Sequence, residues 1–141
     1  MGTVRATATA TIAAEPDRVL ELLRDYDARP GILTANYSAF EVERDAGGEP
    51  VLAFHFAAGG RERDYRLKVQ ERGATQIERD ERSSFVNTWT VSPAPAGSTV
   101  TLEATWNGAG GIGGIFEGLF APLGLRRIYR EVLANLASAA A

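Results

Sequence analysis

The chain of 141 residues is 45% apolar and sets 15 Lys plus Arg against 18 Asp plus Glu, a formal charge of -3. This suffices for one core, so a single domain over residues 1–141 is expected, and no global basic field recruits nucleic acid or an anionic membrane. The absence of cysteine excludes disulfides, thiol catalysis and thiolate metal sites.

The opening MGTVRATATATIAAEP has no continuous apolar stretch of the kind a secretory leader needs, and Ala6 stands where a myristoylation motif requires Ser or Thr. A cytoplasmic location is the expectation. Residues 4–12 alternate strictly, with Val4, Ala6, Ala8, Ala10 and Ile12 on one face and Arg5, Thr7, Thr9 and Thr11 on the other, which predicts a half-buried strand. In EPDRVLELLRDY, Pro16 suits a first helical position, and Val19, Leu22, Leu23 and Tyr26 recur at helical spacing. Pro30-Gly31 then turns the chain, around one short helix or a second.

From Asn36 to Asn107 the breaks are short: Gly47-Gly48, Gly59-Gly60, Gly73 and the stretch Pro93 to Gly97. Loops of that length join antiparallel neighbours and cannot carry parallel crossovers, so a six-strand meander is predicted. Parity assigns Leu52, Phe54, Phe56, Tyr65, Leu67, Val69, Phe85, Asn87, Trp89, Val91, Val100, Leu102, Ala104 and Trp106 to the inner face. If Ile77 also points inward, Arg79 and Glu81 follow it. The single histidine, His55, falls on the outer parity, and the charged run of residues 61–82 reads as solvated strand faces.

A one-sided sheet needs a cover, and the segment Ile112 to Ala139 supplies it, with Ile112, Ile115, Phe116, Leu119, Leu123, Ile128, Val132 and Leu136 at helical intervals and an interruption at Pro122 and Gly124. Seven glycines between 108 and 125, with Glu117 and Pro122, argue against a membrane span there. The same stretch holds a G-x-G-x-x-G pattern at Gly108, Gly110 and Gly113. A dinucleotide site needs a further parallel strand after the glycine turn, and none follows, so the glycines read as a tight connection or a hinge.

Strand, helix, short helix, six-strand meander and long closing helix together resemble the START-like, or SRPBCC, superfamily, in particular its bacterial polyketide cyclase/dehydrase and lipid-transport group. EPDRVLELLRDYDARPGIL, SSFVNTWTVSPAPAGSTVTLEATW and GGIFEGLFAPLGLRRIYREVLANL carry the likeness. The resemblance implies an α+β helix-grip fold, with a seven-stranded curved antiparallel sheet wrapped around the C-terminal helix and an apolar cavity between them. It also implies a ligand class of lipids, quinones or polyketides.

Strand parity nominates Phe54, Phe56, Tyr65, Arg79, Asn87, Trp89 and Trp106 for such a site, and the helical segments add Tyr26, Phe116 and Phe120. The polar members would orient a carbonyl or hydroxyl, or else are satisfied core groups; Arg79 could equally pair with Glu81. The aromatics are either plain core or the wall of a pocket of roughly 300–1,000 Å³. No catalytic residue is singled out, and no cofactor or metal is expected, since a triad or a histidine-based metal site has no imidazole to call on besides the outward His55 and no G-x-S-x-G elbow occurs. The leading expectation is carriage or sensing of a small hydrophobic molecule. A polyketide cyclase, aromatase or dehydratase using Arg79, Tyr65 or Asn87 is the alternative, and a protein-interaction module the third. Partners are thus a small hydrophobic molecule, with no nucleic acid and no stable membrane insertion; a protein partner, and the choice between monomer and homodimer, stay open.

Overall fold

The computed structural model describes residues 3–107 and 122–141. Strand β1 (Thr3–Ile12) leads to helix α1 (Pro16–Arg24) and a 3-10 helix, Tyr26–Ile32. Pro16 opens α1 at a position where its missing N–H costs nothing, Asp17 lies in the first turn, and Val19 and Leu23 are buried on one side. The meander follows as β2 (Tyr37–Arg44), β3 (Pro50–Ala58), β4 (Arg61–Arg72), β5 (Thr75–Asp80), β6 (Val86–Ala94) and β7 (Gly97–Asn107), and α2 (Pro122–Ala140) closes the chain.

The seven strands form one antiparallel sheet in the order β1-β7-β6-β5-β4-β3-β2. Its curved inner face holds α2, giving the helix-grip α+β architecture. Gly59 and Gly60, at φ of 61° and 78°, supply the paired left-handed conformation that a two-residue hairpin requires. Gly97 has φ of 137°, and a Cβ there would stand 2.6 Å from the Ala14 amide nitrogen and the Ile12 carbonyl oxygen. Only glycine lets the start of β7 pass that close to the end of β1.

Alternation places the predicted inner residues of β3, β4, β6 and β7 on the buried side: all are buried save the half-buried Phe54 and Phe85. On α2, Leu125, Ile128, Tyr129, Val132, Leu133 and Leu136 form the buried stripe, packed chiefly against β1. Asn135 Nδ2 donates to the Ile32 carbonyl at 3.1 Å, tying α2 to the end of the 3-10 helix.

Two strands depart from simple alternation. In β5 the inward residues are Gln76, Glu78 and Asp80, whereas Ile77 is half-buried and Arg79 and Glu81 are exposed. The inward placement expected of Arg79 is therefore corrected. The cause is register: Arg72 pairs with Thr75 across the Gly73-Ala74 turn, so Glu78 falls opposite Val69 and Asp80 opposite Leu67. In β2 the pairing with β3 shifts between Ser38 and Glu41, and Ala39 adopts φ of 53°. This bulge inserts one residue, so that Tyr37, Phe40 and Val42 all pack on the core side.

The glycine pattern at Gly108, Gly110 and Gly113, with Phe116 and Phe120, lies outside the described residues. Helix α2 is described from Pro122, the residue at which the sequence places an interruption.

Candidate functional site

Between the inner sheet face, the 3-10 helix and α2 lies a pocket walled by aromatic rings. The rings touch in series across the sheet: Tyr37 to Phe54 at 5.3 Å, Phe54 to Tyr65 at 5.5 Å, Tyr65 to Phe85 at 4.9 Å, and Phe85 to Trp106 at 6.2 Å. Phe40, turned inward by the β2 bulge, adds a stacked contact with Phe54 at 6.2 Å. Leu125, Tyr129 and Val132 of α2 close the opposite side. Such spacings are those of favourable aromatic packing, and each pair contributes about 0.5–1.5 kcal/mol beyond area burial.

One part of the lining is polar, and charged. The Arg29 guanidinium, carried by the 3-10 helix, donates through Nη1 to Glu78 Oε2 at 3.0 Å and through Nη2 to the Leu23 carbonyl at 2.9 Å. The two side chains are 3% and 1% exposed, so this is a desolvated ion pair. Glu78 also accepts from Gln76 Nε2 and from Asn87 Nδ2, each at 2.9 Å. Three donors thus compensate the carboxylate, without which burial of the charge would be prohibitive. Arg29 lies over the Trp89 ring, 5.3 Å from its centre. Behind this floor, the Tyr26 hydroxyl donates to Glu71 Oε2 and lies 3.4 Å from Gln76 Oε1.

Three buried polar atoms have no hydrogen-bond partner among the described residues: Arg29 Nε, Asn87 Oδ1 and Trp89 Nε1. The orientation of the Asn87 amide is forced, because a carboxylate only accepts; Nδ2 must face Glu78, which leaves Oδ1 as an unused acceptor. Burial pushes the Tyr65 phenol up to about 12, with Arg63 opposing and Asp80 assisting. Burial also raises Tyr26, Tyr37 and Tyr129 above the usual phenol value. At neutral pH all four hydroxyls stay protonated and remain donors.

A second buried acid, Asp80, accepts from Arg63 Nη2 at 2.9 Å and Ser83 Oγ at 2.6 Å. Arg63 also covers the Tyr65 ring at 5.0 Å. This pairing fixes the edge of the aromatic wall without joining the pocket lining.

Of the residues nominated by sequence, Phe54, Phe56, Tyr65, Asn87 and Trp89 converge on the pocket. Trp106 is buried at the end of the ring series, and Tyr26 supports the polar floor from behind. Arg79 is exposed on the far face of the sheet, and Phe116 and Phe120 lie outside the described residues. His55 is outward as expected, its Nδ1 2.7 Å from Asp64 and its Nε2 3.3 Å from Glu62. Parity reasoning missed Arg29, Glu78, Tyr37, Phe40 and Tyr129.

The free volume within this lining is about 30 Å³. That accommodates a water molecule or two, since one needs roughly 10–15 Å³ by this measure, and lies far below the roughly 300–1,000 Å³ of a small-molecule site. Occupancy by an organic ligand therefore requires the walls to move apart. Among the described residues no group of three His, Asp or Glu side chains could hold a metal ion, and no helix is long and apolar enough to cross a membrane.

Residues 3–141 match the family described as polyketide cyclase/dehydrase and lipid transport. The chain belongs to that family. Among solved structures this family member is similar to the KanY protein, at 46% identity over 99% of both chains with a TM-score of 0.85. It shares its fold with the Zhui aromatase/cyclase from Streptomyces sp. R1128, at 17% identity, covering 99% of this chain and 94% of that one, with a TM-score of 0.75. It shares it likewise with TTHA0849 from Thermus thermophilus, at 19% identity, 97% and 95% coverage and a TM-score of 0.75. A comparison with curated protein sequences finds no match.

Proposed function

We propose that this family member binds a small, flat, mostly apolar molecule between the sheet and α2 and holds it without reaction. The observation that carries the reading is the combination of a continuous aromatic wall with a buried polar floor that retains unused hydrogen-bonding atoms. A core built only for stability would pair those atoms or replace them with apolar ones. Burial supplies the affinity, about 0.8 kcal/mol per CH₂ removed from water, and the polar floor sets the orientation. Part of that gain is spent separating the walls from their collapsed state.

A second reading, cyclisation or dehydration of a polyketide, is favoured by one feature: a carboxylate, a guanidinium and tyrosine hydroxyls face one apolar space. Those are the groups needed to hold an enolate and move a proton. In this reading Glu78 and Arg29 act beside Tyr65 and Asn87, and take the place that sequence reasoning gave to Arg79.

Native mass spectrometry of the protein purified from its own host tests both. The binding reading expects a bound organic compound whose mass and chromatographic retention are both unchanged after prolonged incubation with the protein. Conversion to a species lighter by one water, or to an isomer of equal mass and different chromatographic retention, transfers the assignment to the second reading. An apo mass, with no shift on adding hydroxylated polycyclic aromatics, overturns both.

A further inference from the structure

The pocket's ionic inventory constrains what it can hold. Among its described lining residues the only cation is Arg29 and the only anion is Glu78, and they are paired with each other at 3.0 Å. The phenols that line it, Tyr37, Tyr65 and Tyr129, are neutral donors. Among the described residues the lining is thus mostly apolar, polar at one patch and without net charge. Among the described residues, two fully buried neutral atoms of its lining residues lack a hydrogen-bond partner, the Asn87 Oδ1 acceptor and the Trp89 Nε1 donor. Arg29 also has a nitrogen without a partner, Nε, but its charge is already met by Glu78.

We infer that the pocket selects uncharged ligands bearing a hydroxyl and excludes carboxylates, fatty acids included. The inference rests on the binding reading above and names the ligand class within it. A ligand carboxylate would arrive desolvated beside Glu78, a like charge held by three donors, with no free cation to receive it. A hydroxyl, in contrast, donates to Asn87 Oδ1 and satisfies an acceptor that otherwise stays unpaired. Its own oxygen can take a hydrogen bond from a tyrosine hydroxyl or the Trp89 indole. A neutral ligand lacking the hydroxyl buries the same area and leaves Asn87 Oδ1 unmet.

Three probes of one skeleton isolate these terms: 2-naphthol, its methyl ether, and 2-naphthoate, titrated into the wild-type protein at neutral pH by calorimetry. Naphthol should bind tighter than either of the others by about tenfold or more, the worth of one well-made buried hydrogen bond. The variant Glu78→Gln keeps an acceptor for Arg29 and frees its charge. It should raise naphthoate affinity by about tenfold or more while changing naphthol less. Naphthoate binding the wild type as tightly as naphthol overturns the charge argument, and equal binding of naphthol and its ether overturns the role of the hydroxyl. If none of the three binds, the binding reading falls and takes this one with it. The wild-type series decides the matter even if Glu78→Gln fails to fold, which circular dichroism would report.

Discussion

One flank of the inner face and its centre are built on opposite terms. Where β1 meets β7, Ala6 faces Ala104, Ala8 faces Leu102 and Ala10 faces Val100, and α2 lies against the small side chains of β1. Contact there is a matter of volume: Val132, Leu133 and Leu136 of the helix are at most 1% exposed, and no charge is involved. Where β5 lies between β4 and β6, the inward positions are Gln76, Glu78 and Asp80, each fixed by named partners. The flank is held by shape and accepts any exchange that conserves it. The centre is held by pairing and accepts only joint exchange.

The sharpest way to break that contrast is Glu78→Ala. It leaves the Arg29 guanidinium buried without its counter-charge and should cost about 3–5 kcal/mol in chemical denaturation. The double change Arg29→Met with Glu78→Leu should recover part of the loss, because no unpaired charge remains while the Gln76 and Asn87 amides lose their acceptor. A single-variant cost under about 1 kcal/mol would show that water reaches the pair. At the shape-held flank, Leu102→Ala should cost about 2–5 kcal/mol by the same measurement, and Leu102→Met under about 1.5 kcal/mol.

The outer face provides smaller tests. His55 is raised from its ordinary 6.5 by the hydrogen bond to Asp64, with the charges of Asp64 and Glu62 adding and desolvation opposing. Its stabilisation is fully present below 6.5, the unfolded value, and is lost as pH rises through the raised folded value. The melting temperature of the wild type should therefore exceed that of His55→Asn on the acid side of this window by a small margin that closes above it. Smallest of all, Arg79→Ala should change stability by no more than about 0.5 kcal/mol and leave naphthol affinity unaltered. A tenfold loss of affinity there would return Arg79 to the site.

The same contrast explains what was legible in the sequence. Apolar alternation in VRATATATI, and in β3, β4, β6 and β7, marks the inner face because burial there is hydrophobic. The hairpin glycines and Pro16 mark the element boundaries for steric reasons that hold in any context. TQIERD offers a single apolar residue among five polar ones, and choosing its phase from Ile77 inverts the strand. The correct phase was available by another route. Counting outward from a two-residue turn at Gly73-Ala74 sets Val69 against Glu78 without reference to hydrophobicity. Arg29 carries no such signal, since only the folded 3-10 helix brings it under Glu78 from 49 residues away. Tyr37 and Phe40 were hidden by the bulge, which local composition does not announce.

That bulge has a further effect at the boundary of the molecule. Strand β2 ends the sheet, and a regular edge presents a row of free amides and carbonyls on which another chain can continue the ladder. The left-handed step at Ala39 breaks the repeat between Ser38 and Glu41, so an incoming strand finds matching groups only in two short, mutually offset segments. The irregularity that aims Phe40 at the pocket also guards the sheet against growing by addition of a neighbour.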